Sequence, residues 1–98
     1  MAKSQIIYIV KCNEFYKIGI TDDIRRRMIA LQTGNPYELK LVKTYRAVSS
    51  FEELIHTILT KAKQHVRGEW FQPDTASLEL IMEILEAYET DCVKRGVA

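Results

Sequence analysis

Side chains that together can break a phosphodiester bond occur along this chain in a set order. Tyr8 lies in the β-rich run Ile6-Ile7-Tyr8-Ile9-Val10. Lys17 opens Lys17-Ile18-Gly19-Ile20, Arg25, Arg26 and Arg27 follow consecutively, and Glu52 and Glu53 come about one helix-and-strand unit later. A phenol with a reference pKa of about 10 is a poor base at neutral pH, and a nearby ammonium favours its ionised form. A guanidinium can hold a phosphate through two parallel hydrogen bonds. A carboxylate with open coordination beside phosphate oxygens is what Mg²⁺ uses, with few protein ligands and several waters. On a chain of 98 residues, this combination points to phosphodiester chemistry rather than to a packing module.

The elements must bring these groups together. Residues 5–11 and 15–20 read as two strands joined by Cys12-Asn13-Glu14, with asparagine at the turn. With Asn13 and Glu14 as the central turn residues, Tyr8 opposes Gly19 and Val10 opposes Lys17. One face then carries Ile7, Ile9, Ile18 and Ile20, joined by Tyr16, and wants the core. The other face carries Tyr8, Val10, Lys17 and Gly19. Tyr8 and Lys17 become diagonal neighbours, roughly 7–8 Å apart at the backbone, and Gly19 is expected to leave room opposite the phenol for a water or a phosphate. Each residue also has a purely structural reading: Tyr8 as an amphipathic strand residue, Lys17 as a solvated charge, Gly19 as a strand-end bend.

A first helix is expected from Thr21 or Asp22, where a side-chain oxygen can cap and the aspartates favour the positive dipole end. Ile24, Met28 and Leu31 follow helical spacing, and Thr33-Gly34-Asn35-Pro36 ends the element. Arg27 lies at the edge of that apolar stripe, where it can lean over the sheet. Arg25 and Arg26 suit contacts along a nucleic-acid backbone, or are simply solvated helix charges. A third strand over roughly 38–47 alternates Leu39, Leu41 and Tyr45 with Lys40, Thr44 and Arg46. A second helix follows Ser49-Ser50, with Phe51, Leu54, Ile55, Ile58, Leu59 and Ala62 inward and Gly68 as its stop. Glu52 and Glu53 each complete a capping box with Ser49 or Ser50, and Glu52 shares a helix stripe with His56. Residues 69–72 read as a short aromatic link. A third helix runs from about Asp74 to Lys94, with Leu78, Ile81, Met82, Leu85, Tyr88 and Cys92 inward. The expected fold is a single α/β (α+β) domain over residues 1–98, in the order ββαβαα.

Composition narrows the function classes. Hydrophobic residues at 47% and charged residues at 28% are globular values, which argues against disorder. No apolar run approaches the roughly 18 residues of a membrane span, and no signal-peptide pattern opens the chain, so a cytoplasmic protein is expected. Cys12 and Cys92 are too few for a disulfide framework, and neither they nor His56 and His65 have zinc-ligand spacing. Residues 1–67 hold 12 Lys/Arg against 6 Asp/Glu, whereas residues 68–98 hold 2 against 7. A basic working surface with an acidic outer helix suits a polyanionic partner.

These residues resemble the GIY-YIG nuclease superfamily over nearly residues 5–72. The similarity is to its small branch, typical of phage and bacterial open reading frames, in which the second motif reads Lys-Ile-Gly. It rests on Ile6-Ile7-Tyr8, Lys17-Ile18-Gly19, Thr21-Asp22-Asp23-Ile24 leading to Arg27, Glu52-Glu53-Leu54-Ile55-His56, and Gly68-Glu69-Trp70-Phe71. Each motif is weak alone; their order and spacing together are specific.

The resemblance implies a three-stranded antiparallel sheet flanked by three helices, and phosphodiester hydrolysis with one divalent ion, Mg²⁺ or Mn²⁺. It puts Tyr8 at the water-activating tyrosine, Arg27 at the phosphate-stabilising arginine and Glu52 at the metal-binding glutamate, with Glu53 the alternative. Lys17 stands where the family usually has a second tyrosine, and Ile6 and Leu31 replace its first-motif glycine and its helix histidine. Gly19, Arg25, Arg26, Lys40 and His56 are the positions expected to contact substrate. The implied partner is nucleic acid, DNA rather than RNA, and a homodimer would enlarge the recognition surface. Two other functions stay open at the level of sequence: a nucleic-acid-binding module without the chemistry, and a phage factor that binds a protein.

Overall fold

Asn13 adopts a left-handed backbone with φ 56°, which asparagine tolerates better than most residues. It turns β1 (Ile6–Cys12) back on β2 (Phe15–Thr21). The register is the expected one, with Tyr8 opposite Gly19, Ile9 opposite Ile18 and Val10 opposite Lys17. The computed structural model describes residues 5–46 and 49–94; the side chains of Ser49, Ser50, Phe51 and Cys92, four sequence-predicted cap or core positions, lie outside the described part.

Helix α1 (Ile24–Gln32) begins later than expected because two side chains share the cap. The Thr21 hydroxyl accepts from Asp23 N–H at 3.1 Å, and Asp23 Oδ1 accepts from Arg26 N–H at 3.0 Å. Strand β3 (Lys40–Arg46) pairs antiparallel with the free side of β1. Ile9 faces Lys43 while Val10 faces Leu41, so Val42 is an extra residue in a bulge. The bulge breaks the expected alternation, and both Leu41 and Val42 are exposed.

Helix α2 (Ser49–Lys61) stops well before Gly68. The chain turns through Lys63, at φ 60°, into β4 (His65–Arg67), and Gly68, at φ 54°, opens a two-residue turn into β5 (Trp70–Phe71). Gly68 is therefore a hairpin residue, not a helix stop. The sheet has five antiparallel strands in the order β3-β1-β2-β5-β4, not three, and the element order is ββαβαββα. The two added strands are three and two residues long, too short for a period-two pattern to register.

Helix α3 (Thr75–Lys94) is capped by Asp74, whose Oδ1 accepts from Ser77 N–H at 2.7 Å. Helices α2 and α3 cover one sheet face, where Ile55, Leu59, Ile81 and Leu85 join Ile7, Ile9, Ile18, Tyr45 and Phe71 in the main core. Leu54 and Ala62, expected inward on α2, are exposed. Among the described residues, α1 is the helix that covers the second face, packing Ile24, Met28 and Leu31 against Tyr8, Val10, Cys12 and Leu39, with Trp70 beside them. Among the described residues, no helix is long and apolar enough to cross a membrane.

Candidate active site

Strand β5 pairs with β2 only at Tyr16 and Lys17, so the outer edge of β2 is uncovered by strand from Ile18 onward. Side chains and a turn take over there. Ile18 N–H donates to the Glu69 carbonyl at 3.2 Å, and the Ile18 carbonyl accepts from His56 Nε2 at 2.7 Å. The first bond pins the β4–β5 turn against β2, and the second pins α2. The His56 ring also packs on Phe71, with centroids 5.0 Å apart.

These anchors bring Glu52, one helical turn before His56, together with His56 and Glu69. One ligand atom from each of the three lies within 4.8 Å of the others. Lys17 Nζ is 3.1 Å from Glu69 Oε1 and 5.6 Å from the centre of the Trp70 ring. Burial raises the Glu52 pKa, Glu69 adds to the rise, and His56 opposes it. Among the described residues, the Oε2 of Glu52 is a buried oxygen with no hydrogen-bond partner.

Tyr8 meets the same edge from the opposite face. It is fully buried, and its ring lies directly over Gly19: a methyl at Gly19 would overlap the phenol oxygen and come within 2.6 Å of Cζ. The expected room opposite the phenol is therefore filled by the phenol itself, and the glycine is what lets it reach across the strand. Among the described residues, Tyr8 Oη, like Glu52 Oε2 and Tyr45 Oη, is buried without a hydrogen-bond partner. Its pKa is pushed up to about 12, first by burial and then by Glu69; Arg27 lowers it and Glu52 raises it again. Lys17 does not draw the phenol toward ionisation, because its ammonium is engaged by Glu69.

The other sequence-predicted residues separate clearly. Arg27 is exposed on the first turns of α1, near enough for its charge to act on Tyr8. Arg25 and Arg26 are exposed, with Arg26 Nε 3.8 Å from its capping partner Asp23. Glu53 is exposed and outside the Glu52–His56–Glu69 group. Lys40 is not brought to the site. It pairs with Lys11, whose side chain lies over Tyr16 on the face opposite Tyr8.

Glu69 enters the site without having been expected there. The signal was present in Gly68-Glu69, a glycine-first pair between His65-Val66-Arg67 and Trp70-Phe71, which is a hairpin-turn pattern.

A profile of the T5orf172 domain matches residues 5–89. The chain belongs to the T5orf172 domain family, a GIY-YIG-like family. No curated protein and no solved structure matches it significantly. GIY-YIG-like domains usually use a divalent metal, and the residues of this T5orf172 domain fit one. Two carboxylates suit a hard cation, and one of their oxygens is buried and unpartnered. With His56 Nε2 donating to a carbonyl, the neutral ring keeps its lone pair on Nδ1, as metal-binding histidines do. The mixed N/O set suits Mn²⁺ as well as Mg²⁺.

Proposed function

We propose that this T5orf172 domain is a metal-dependent endonuclease that hydrolyses phosphodiester bonds in DNA. The observation that carries the reading is the meeting of Tyr8, Glu52 and Glu69 at the uncovered edge of β2, with Tyr8 Oη and Glu52 Oε2 both buried and unpartnered. Glu52, His56 and Glu69 would hold the divalent ion, which when bound supplies positive charge against the phosphate and the two carboxylates. Lys17 fixes one oxygen of Glu69 and so orients the other.

In the reaction a water oxygen attacks phosphorus and the bond to the leaving sugar oxygen breaks. Tyr8, a neutral phenol at the outset, takes the water's proton as its own passes to a carboxylate oxygen of Glu69 or Glu52, and the leaving sugar oxygen is protonated from solvent. Arg27, free at the surface of α1, stabilises the charge gathering on the phosphoryl oxygens.

Nicking of supercoiled plasmid across a panel of divalent metals tests this. Activity is expected with Mg²⁺ or Mn²⁺, and Tyr8→Phe, Arg27→Ala and Glu52→Gln should each lower it by roughly 100-fold or more while far-UV circular dichroism stays unchanged. Full activity in Glu52→Ala and Glu53→Ala alike would remove the metal-site assignment. Salt-sensitive DNA binding with no cleavage under any metal would replace the enzyme by a binding module of the same fold.

A further inference from the structure

We propose that the cleft between the end of α1 and the β4–β5 hairpin is a stacking pocket for an unpaired nucleobase of the strand that enters the active site. The proposal rests on the nucleic-acid reading above. It arises because, among the described residues, α1 is the helix that covers the Tyr8 face of the sheet, and it ends before the sheet does. Beyond its last turn the face is open.

The cleft has a volume of about 650 Å³, within the roughly 300–1,000 Å³ typical of ligand sites. Its construction follows from strand register. Trp70 pairs with both Lys17 and Arg67, which puts all three on the Tyr8 face. Between His65 and Arg67 the β4–β5 register shifts, so Val66 is an extra residue and lines the cleft together with Arg67. Phe15 contributes from the β1–β2 hairpin, and Leu31 and Tyr37 form the wall at the end of α1. Tyr37 and Val66 are both at least half exposed.

Three features select the occupant. The walls carry the rings of Trp70, Tyr37 and Phe15, which suits a flat aromatic group. Among the described residues lining the cleft, Arg67 carries the only charge, and it is a cation, so the group should belong to an anion. The cleft is also continuous with the site: Trp70 lies under Lys17, and Lys17 pairs with Glu69. A base resting on Trp70 leaves its phosphate beside Lys17, and the strand then leads to Glu69 and Tyr8. A base paired inside a duplex cannot enter, so single-stranded or frayed ends are favoured.

Trp70 is the chain's single tryptophan, which makes the pocket its own reporter. The full chain carrying Glu52→Gln, without added metal, is titrated with a fluorescently labelled six-nucleotide single-stranded DNA. An abasic deoxyribose-phosphate strand of the same length and a blunt duplex are titrated in parallel. Binding is read by anisotropy, and Trp70 emission is read separately with unlabelled strands. The base-containing strand should quench Trp70 and bind about 5- to 150-fold tighter than the abasic strand, the equivalent of stacking one base. Tyr37→Ala should weaken binding in the same direction with circular dichroism unchanged.

Equal affinity for the two single strands, or saturation without quenching, overturns the pocket. Because no cleavage is needed, quenching in a protein that never cuts DNA would uphold the pocket and reject the nuclease. Cleavage by a protein whose Trp70 never responds would do the reverse.

Discussion

Tyr8 and Gly19 act as one unit. The phenol reaches the β2 edge only by crossing a residue without a side chain, and this makes the Tyr8 assignment testable at a second position. Gly19→Ala should keep the fold at a cost of about 1–3 kcal/mol for overpacking while displacing the phenol, so kcat for nicking falls by roughly tenfold or more. A urea midpoint and kcat measured on the same preparation separate the two effects, and an unaltered kcat would show that Tyr8 does not act from this position. A raised phenol pKa does not by itself mark the site. Tyr45 is also pushed up to about 12, by burial and by Glu86 and Glu89, yet it belongs to the core under α3. What distinguishes Tyr8 is the company of Glu69, Arg27 and Glu52. Lys17 likewise takes its meaning from a neighbour: its ammonium is paired with Glu69.

The β4–β5 hairpin is the element on which the site depends, and Asp74 ties its base to α3. Gln64 Nε2 donates to Asp74 Oδ2 at 3.1 Å, and Gln72 N–H donates to the Gln64 carbonyl at 2.8 Å, closing the hairpin below Glu69 and Trp70. The hydrogen bonds from Ser77 hold the Asp74 carboxyl below the usual aspartate range, with Gln64 adding to the effect. A depressed folded-state pKa means stability that is present above the unfolded value, about 3.9, and lost as pH falls through the folded one. Asp74→Asn should remove that loss. Urea midpoints of the two proteins should converge as pH drops below 4, and curves that stay parallel would show that Asp74 does not carry the acid limb.

The same elements show what sequence could and could not disclose. The β1–β2 register, and with it Tyr8 over Gly19, was legible because Asn13 fixes a two-residue turn and the isoleucines can face only one way. Glu69 was not, because a strand of three residues and another of two leave no periodicity. The early end of α2 was hidden for a related reason: its stop is the left-handed Lys63, a residue type that gives no warning.

At the scale of the molecule the sheet separates two charge environments. On the face covered by α2 and α3, Lys43 of β3 is matched: its Nζ lies 3.1 Å from Glu86 of α3. On the side of α1, Arg25, Arg26 and Arg27 stand exposed, and Arg27 is near enough for its charge to act on Tyr8. A polyanion should therefore approach from α1, although Lys40 carries the same formal charge elsewhere. If Arg25 and Arg26 each touch one phosphate, replacing both by alanine should lower the slope of log K against log salt by about 1.8, at roughly 0.9 per duplex phosphate. Lys40→Ala should leave the slope unchanged, since that residue lies on the opposite face of an edge strand. Binding of a duplex oligonucleotide measured between 50 and 200 mM salt, on order-of-magnitude grounds a range wide enough to resolve such slopes, decides between the two faces. Equal slope changes from the two variants would mean that the strand wraps the sheet edge instead of approaching over α1.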